Sequence, residues 1–361
     1  PPVDLEPDVL GGHQCHRIVH SRLSGIFNGG DAGMMPDIAQ TGQVAGELLP
    51  QAEVPAVMLE QVSKWYGNII GMNDISLAIS GGVTGLLGPN GAGKSTLFKI
   101  LAGKLKPSQG TVRLFGINPW KNTAPFARIG YVSENDALYD WMTALEFVTT
   151  LARLYGYTRE EARVKAERVL EFVDLKDVMH KEIGKFSKGM RQRVKIAHAL
   201  VNDPELIILD EPLQGCDPLA RTTIMNVIRE LGAMGRTVII SSHILEEIER
   251  ITEQIVILNH GRLLALGNVH AIRDMLDAHP HSIALSTDRP RELGKAFLDH
   301  KEVFGVHFPE EGKLIIRTHN LGALHADLPQ LITDSGFSVT AIDNPDDNLE
   351  SILTYLTGGG D

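Results

Sequence analysis

The stretch Gly88-Pro89-Asn90-Gly91-Ala92-Gly93-Lys94-Ser95, followed by Thr96, limits the fold more than any other feature of the chain. It fits the pattern G-x-x-x-x-G-K-[ST] and sits where that pattern has a mechanism, after the apolar run 83–87 and before a helical pattern from Lys94 to Leu101. The glycines let the backbone turn its N–H groups inward around phosphate oxygens. The helix that follows points its positive end at the same oxygens. Lys94 can reach the β- and γ-phosphates of a nucleotide, and the Ser95 hydroxyl can ligate Mg²⁺. A strand–loop–helix of this kind belongs in an α/β domain with a largely parallel sheet, whose ligands bind at the carboxyl ends of the strands.

With 361 residues, 43 % of them hydrophobic, the chain fits about two domains. The formal net charge of −11 argues against nucleic acid as a partner, because phosphate backbones demand clustered positive charge. Cys15 and Cys216 cannot build a disulfide framework, so a reducing compartment is expected. No apolar run approaches the length of a membrane span, and the first residues do not read as a signal peptide. The first residue is Pro, which reads as a processed or truncated start.

The sequence divides into three stretches. Residues 1–54 are rich in Gly, Pro and small polar residues with no sustained period, and read as a mostly disordered tail. His13, Cys15, His16 and His20 in it have the right types for zinc but no standard spacing, so plain tail is preferred. Residues 55–275 alternate β-branched runs with helical patterns. A helix is expected near 158–173, opened by the capping box of Thr158 and Glu161, and another at Asp217-Pro218. Residues 276–361 form an accessory unit whose β-α-β-β-α-β order suits a ferredoxin-like sandwich, with a last helix near 347–356. Between 282 and 361, 13 acidic residues face 6 basic ones, which reads as a solvated acidic face.

Three further elements carry chemistry. The run Leu206-Ile207-Ile208-Leu209-Asp210-Glu211-Pro212 is an apolar strand that lifts two carboxylates to its end. Asp210 suits a magnesium shell, and Glu211 can polarise an attacking water as general base. Alone, such a strand equally suits an ordinary turn. His243 follows the strand 237–241; a lone histidine there is more often structural, but strand ends beside a phosphate loop converge on the γ-phosphate. Phe186-Ser187-Lys188-Gly189-Met190-Arg191-Gln192-Arg193 opens a helix whose apolar positions are Val194, Ala197 and Val201. Read by itself, it is a basic helix capped by Ser187.

In this order and spacing, the four elements resemble the ATP-binding subunit of ATP-binding-cassette (ABC) transporters. The resemblance covers 55–275 and implies a P-loop NTPase cassette with a helical signature subdomain. Ser187 through Arg193 resembles the family signature, with Lys188 and Met190 in place of its usual Gly and Gln. That variant, and the chain end Asn348 to Gly358, are similar to a branch of bacterial exporters whose permease is a separate chain. By the same resemblance Tyr66 stacks on adenine, Gly88 to Thr96 cradle the phosphates, and Asp217 lies on the dimer-interface loop. His243 is implied to contact the γ-phosphate, and Ser95 and Asp210 to serve the metal. Glu134 stands where the family usually has Gln. The segment Asn135 to Glu146, with Tyr139 and Trp141, corresponds to the groove for a permease helix, although such aromatics more often fill a core.

The resemblance further implies a sandwich of two cassettes. The phosphate loop of one and the Ser187–Gly189 signature of the other hold each ATP with Mg²⁺, and closure is driven by differential binding. The expected partners are a membrane permease and a second cassette at the inner face of the cell membrane. A soluble cassette ATPase is the alternative. Translation-type cassettes usually carry two phosphate loops, and repair-type cassettes a long coiled coil; neither is present here. Intact Lys94, Asp210, Glu211 and His243 disfavour a catalytically dead regulator, and the tail lacks the β-rich pattern of an importer's regulatory domain.

Overall fold

The computed structural model describes residues 54–274, 281–335, 338–345, 349–350 and 352–353. The zinc-type residues of the N-terminal tail and much of the expected last helix lie outside the described residues. By compactness the chain divides into two units. One runs through Ser241 and includes Val256–Leu266; the other comprises Ser242–Ile255 and the residues from Gly267 onward.

In the first unit, β1 (Val57–Tyr66) pairs antiparallel with β2 (Ile69–Ile79). Strand β3 (Gly82–Leu87) leads through the glycine-rich loop into helix α1 (Lys94–Leu101), and β4 (Gln109–Leu114) returns beside β1. These strands make a three-stranded sheet in the order β2-β1-β4, from which β3 departs into a second sheet. Strand β5 (Ile129–Val132) is followed by three helices, α2 (Ala144–Arg153), α3 (Arg159–Phe172) and α4 (Lys188–Leu200). Then come β6 (Leu206–Leu209), α5 (Pro218–Ala233), β7 (Thr237–Ser241), β8 (Gln254–Asn259) and β9 (Arg262–Asn268); the helices α6 (Leu245–Glu249), before β8, and α7 (Val269–Asp274), after β9, belong to the second unit. The second sheet has six strands in the order β5-β6-β7-β3-β8-β9, and β5, β6, β7 and β3 pair in parallel.

The cause of this layering is in the side chains. All four residues of β6 are fully buried, as are Val238, Ile239 and Ile240 of β7, so the centre of the sheet is covered on both faces. Each such Leu, Ile or Val stabilises the fold by about 1.5–3 kcal/mol relative to exposure. Helix α1 buries Leu97, Phe98, Ile100 and Leu101 at helical spacing, which anchors the loop before it. Thr158 and Glu161 close the expected capping box at the start of α3, and Thr143 and Glu146 form a second one at α2.

The C-terminal part of the second unit is built from β10 (His281–Thr287), α8 (Pro290–Leu298), β11 (Val303–His307), β12 (Lys313–Thr318), α9 (Leu321–Ser335) and β13 (Val339–Asp343). The sheet order is β11-β12-β10-β13 with every pair antiparallel, the ferredoxin-like order that the element sequence predicts. Period-two alternation places Ile283, Leu285, Leu314 and Ile316 on one face, where they form a core with Leu293, Phe297, Leu324 and Leu328 of the helices.

Candidate nucleotide site

The loop from Gly88 to Gly93 is shaped by backbone that other residues would not tolerate. Gly88 has φ 143°, and a Cβ there would lie 2.1 Å from the Leu258 carbonyl oxygen. Gly93 has φ 108° and occupies the N-cap of α1, where a Cβ would lie 2.8 Å from the Gly71 carbonyl oxygen. A glycine cap has no side chain to bond the helix's first N–H groups, and α1 has no acidic residue in its first turn. The helix therefore presents a positive end for an anion. Ser95 is exposed at this end, as are Pro89, Asn90 and Gly91 on the loop, while Ala92 is buried beneath it.

The Lys94 ammonium curls back and donates to the carbonyl oxygens of Gly88 and of Pro89, the latter at 3.2 Å. Its half-burial lowers its pKa from the usual lysine value, opposed by the nearby carboxylates of Glu211 and Asp210. The phosphate loop and the end of β6 thus share one electrostatic site. Tyr66 is partly exposed, and its hydroxyl is 3.3 Å from the hydroxyl of Thr96, so the aromatic expected at adenine borders the first turn of α1.

Asp210 is 6 % exposed. Burial pushes its pKa up, the Ser241 hydroxyl holds it down, the Glu134 and Glu211 carboxylates push it up, and Lys94 pulls it down. The Ser241 hydroxyl donates to Asp210 Oδ1 at 2.9 Å and accepts from the Glu211 N–H at 3.0 Å. One buried hydroxyl at the end of β7 therefore fixes both carboxylate residues at the end of β6. Glu211 itself has φ 50°, in the left-handed region where a residue with a Cβ is strained. Glu134 follows β5, exposed, and its carboxylate acts on Asp210 and on Tyr131, whose phenol is pushed up to about 12 chiefly by burial.

Among the described residues no group of three His, Cys, Asp or Glu side chains could hold a metal alone. The site instead offers hard oxygen donors, the Ser95 hydroxyl and the Asp210 carboxylate, amid mutually repelling negative charge. That donor set fits Mg²⁺, which is usually held by one or two protein oxygens together with phosphates and water.

Ser187 caps α4, its hydroxyl accepting from the Met190 N–H at 3.3 Å. Asp217 caps α5, accepting from the Ala220 N–H at 2.9 Å. These two exposed helix starts are neighbours. Gly189 is packed so closely that a Cβ would lie 2.3 Å from the Ala220 Cβ, and the Lys188 side chain lies against Gly215. Tyr139 and Trp141 are 55 % and 75 % exposed, so the core role that their chemistry alone favours is overturned; they form a surface aromatic pair with ring centroids 6.1 Å apart. His243 is exposed and lies just past β7, in the segment that groups with the second unit. Ser241 and the strained backbone of Glu211 escaped the sequence reading. The tandem serines at the carboxyl end of a central strand were the available signal for the first, and nothing in the residue types marks the second.

Residues 72–214 match the model of the ABC transporter family. An ABC transporter ATP-binding protein of Synechocystis is 36 % identical over 285 residues, which span 75 % of this chain and 78 % of that protein. The Nod factor export ATP-binding protein I of Rhizobium johnstonii is 39 % identical over 60 % of this chain and 70 % of its own length. The solved ATP-binding subunit of an ABC transporter superposes with a TM-score of 0.55 at 30 % identity, covering 61 % of this chain and 92 % of that one. A dimeric cassette in a post-hydrolysis state, bound to ADP and phosphate, superposes with a TM-score of 0.54 at 28 % identity over 59 % of this chain and 98 % of that one.

Proposed function

Since the chain belongs to the ABC transporter family as an ATP-binding, ATP-hydrolysing subunit, we propose that it drives an exporter by closing against a second cassette beneath a membrane permease. The observation that carries this reading is the adjacency of two helix starts with exposed caps, Ser187 before α4 and Asp217 before α5, packed together where Gly189 is buried against Ala220. The first offers a capped helix N-terminus to an anion held by another subunit, and the second lies beside it on the same surface. The dimeric relative with ADP and phosphate supports this arrangement, and the Nod factor export relative supports the outward direction. No described helix is long and apolar enough to cross a membrane. The exposed pair Tyr139 and Trp141 supplies an aromatic surface for a permease helix.

In the site, Gly88 to Thr96 bind the phosphates of ATP and Tyr66 faces its base. Mg²⁺, held by Ser95 and Asp210, would neutralise phosphate charge. Glu211 accepts the proton of the attacking water, and His243 and the partner's signature orient the γ-phosphate. Loss of that phosphate removes the differential contact that holds the sandwich closed, and the subunits part. Glu134 in place of Gln brings an extra negative charge near Asp210, which raises the site's demand for the cation. The test is light scattering on Glu211→Gln with MgATP. It is expected to become dimeric, and the same chain with Ser187→Arg added is expected to stay monomeric while still binding ATP. A double variant that dimerises like Glu211→Gln refutes the assignment of Ser187.

A further inference from the structure

The turn that carries His243 is held by residues outside the nucleotide motifs. Ser242 is 2 % exposed, and its hydroxyl donates to Glu247 Oε2 at 2.7 Å while accepting from the Ile244 N–H at 3.0 Å. Glu247, 7 % exposed, also donates its backbone N–H to the Ile244 carbonyl at 3.2 Å. Three hydrogen bonds thus close the turn on either side of His243. Two of them use the buried hydroxyl of Ser242, one of these with the buried carboxyl group of Glu247, and the third joins backbone groups. Glu247 lies on α6, and α6 is tied at its other end. The Glu249 carboxylate accepts from the backbone N–H of Leu349, a hundred residues further along the chain. Leu349 and Ile352 beside it are fully buried. The whole segment Ser242–Ile255 groups by compactness with the C-terminal residues rather than with the phosphate loop.

We propose that Ser242 and Glu247 are positioning residues that set the turn of His243, and that Glu249 links this turn through α6 to the C-terminal segment at Leu349. This rests on the reading of His243 as a contact of the γ-phosphate. The segment at Leu349 then adjusts hydrolysis through α6, since whatever moves Leu349 pulls on a helix of five residues whose first turn fixes the histidine. Displacing a reacting group by about 1 Å costs on the order of 10²-fold in rate, so a small shift of α6 suffices.

The test uses the full chain, with steady-state hydrolysis of MgATP and equilibrium MgATP binding measured side by side. Ser242→Ala and Glu247→Ala are expected to lower kcat about tenfold or more with KM and nucleotide affinity nearly unchanged. Ser242→Thr and Glu247→Gln keep the hydroxyl and the acceptor and are expected to restore most of the rate. Glu249→Ala is expected to lower kcat a few-fold with the same unchanged affinity, and Glu249→Gln to restore it. Wild-type kcat in Ser242→Ala and Glu247→Ala overturns the positioning role, as does a loss of affinity and kcat together that the conservative variants do not rescue. Wild-type kcat in Glu249→Ala overturns the link to the C-terminal segment. His243→Ala is measured alongside. If it is inactive while Glu247→Ala is fully active, the positioning role alone fails; if it is itself fully active, the reading of the site fails with it.

Discussion

Replacing Ser241 by Ala tests how the carboxylate pair is held. The hydroxyl is completely buried and serves two partners, donating to Asp210 Oδ1 and accepting from the Glu211 N–H. A hydrogen bond to an ionised acceptor contributes about 1.5–3 kcal/mol, and a buried donor left unpaired costs about 1–3 kcal/mol. The volume removed is a single oxygen, so the cavity contribution is small. A loss of about 3–4 kcal/mol is expected at pH values above the raised pKa of Asp210, where its carboxylate is ionised. Trp65, Trp120 and Trp141 all lie in the first unit, so urea unfolding followed by tryptophan fluorescence reports on the unit that holds this bond. With an m-value of about 2–3 kcal/mol/M, the midpoint should fall by about 1–2 M. The deficit should also depend on pH. Asp210 has its folded pKa raised, so the native state binds more protons than the unfolded chain between the unfolded and folded values, and stability falls as pH rises through that window. Removing the hydroxyl that holds the pKa down widens the window upward. The deficit should be full above it and shrink as the pH falls toward the ordinary carboxylate range. Ser241→Thr, which keeps the hydroxyl on a strand, should recover most of the loss. A Ser241→Ala chain within about 0.5 kcal/mol of its parent above that window, or a deficit that grows on acidification, refutes the reasoning.

Other outcomes follow from the same site. Lys94→Ala should weaken MgATP binding on the order of 10²-fold by calorimetry, because the ammonium is the charged donor of the loop; undiminished affinity contradicts the phosphate-loop reading. Glu211→Gly should abolish hydrolysis yet leave unfolding stability unchanged or up to about 1 kcal/mol higher, since φ 50° suits glycine; a clear loss of stability would show that the glutamate side chain is held by more than it strains. Changing Tyr139 and Trp141 together to Ser should alter stability by less than about 0.5 kcal/mol, given their exposure, while uncoupling hydrolysis from the permease in reconstituted vesicles; a large drop in the unfolding midpoint would return them to the core.

What the sequence could reveal depends on how local the physics is. The glycine-rich loop is local: its strand and helix flank it directly, so residues 88–101 could be placed from the residues alone. The capping box at Thr158 is equally local, and so is the alternation that builds the four-stranded sheet with its core of Ile283, Leu285, Leu314 and Ile316. Tyr139 and Trp141 were not, because hydrophobicity fixes a preference for burial and only the tertiary surface decides whether a partner is present within the chain.

Ser241 and Glu211 mark the deeper limit. Their hydrogen bond joins residues thirty apart, across the parallel pairing of β6 and β7, and it exists because that register sets Leu209 beside Ile240. Serine at a strand end has no preference that reveals such a partner. The left-handed backbone of Glu211 is further still from its residue type, since glutamate avoids that conformation. It persists because the fixed ends hold it there: the Glu211 N–H on Ser241 and the Glu211 carbonyl accepting from the Gln214 N–H at 3.2 Å. A glycine would relieve the strain and would leave no carboxylate beside Lys94. Strain at one residue therefore accompanies the placing of a carboxylate at the end of β6, and the hydroxyl of Ser241 is one of the contacts that maintains it.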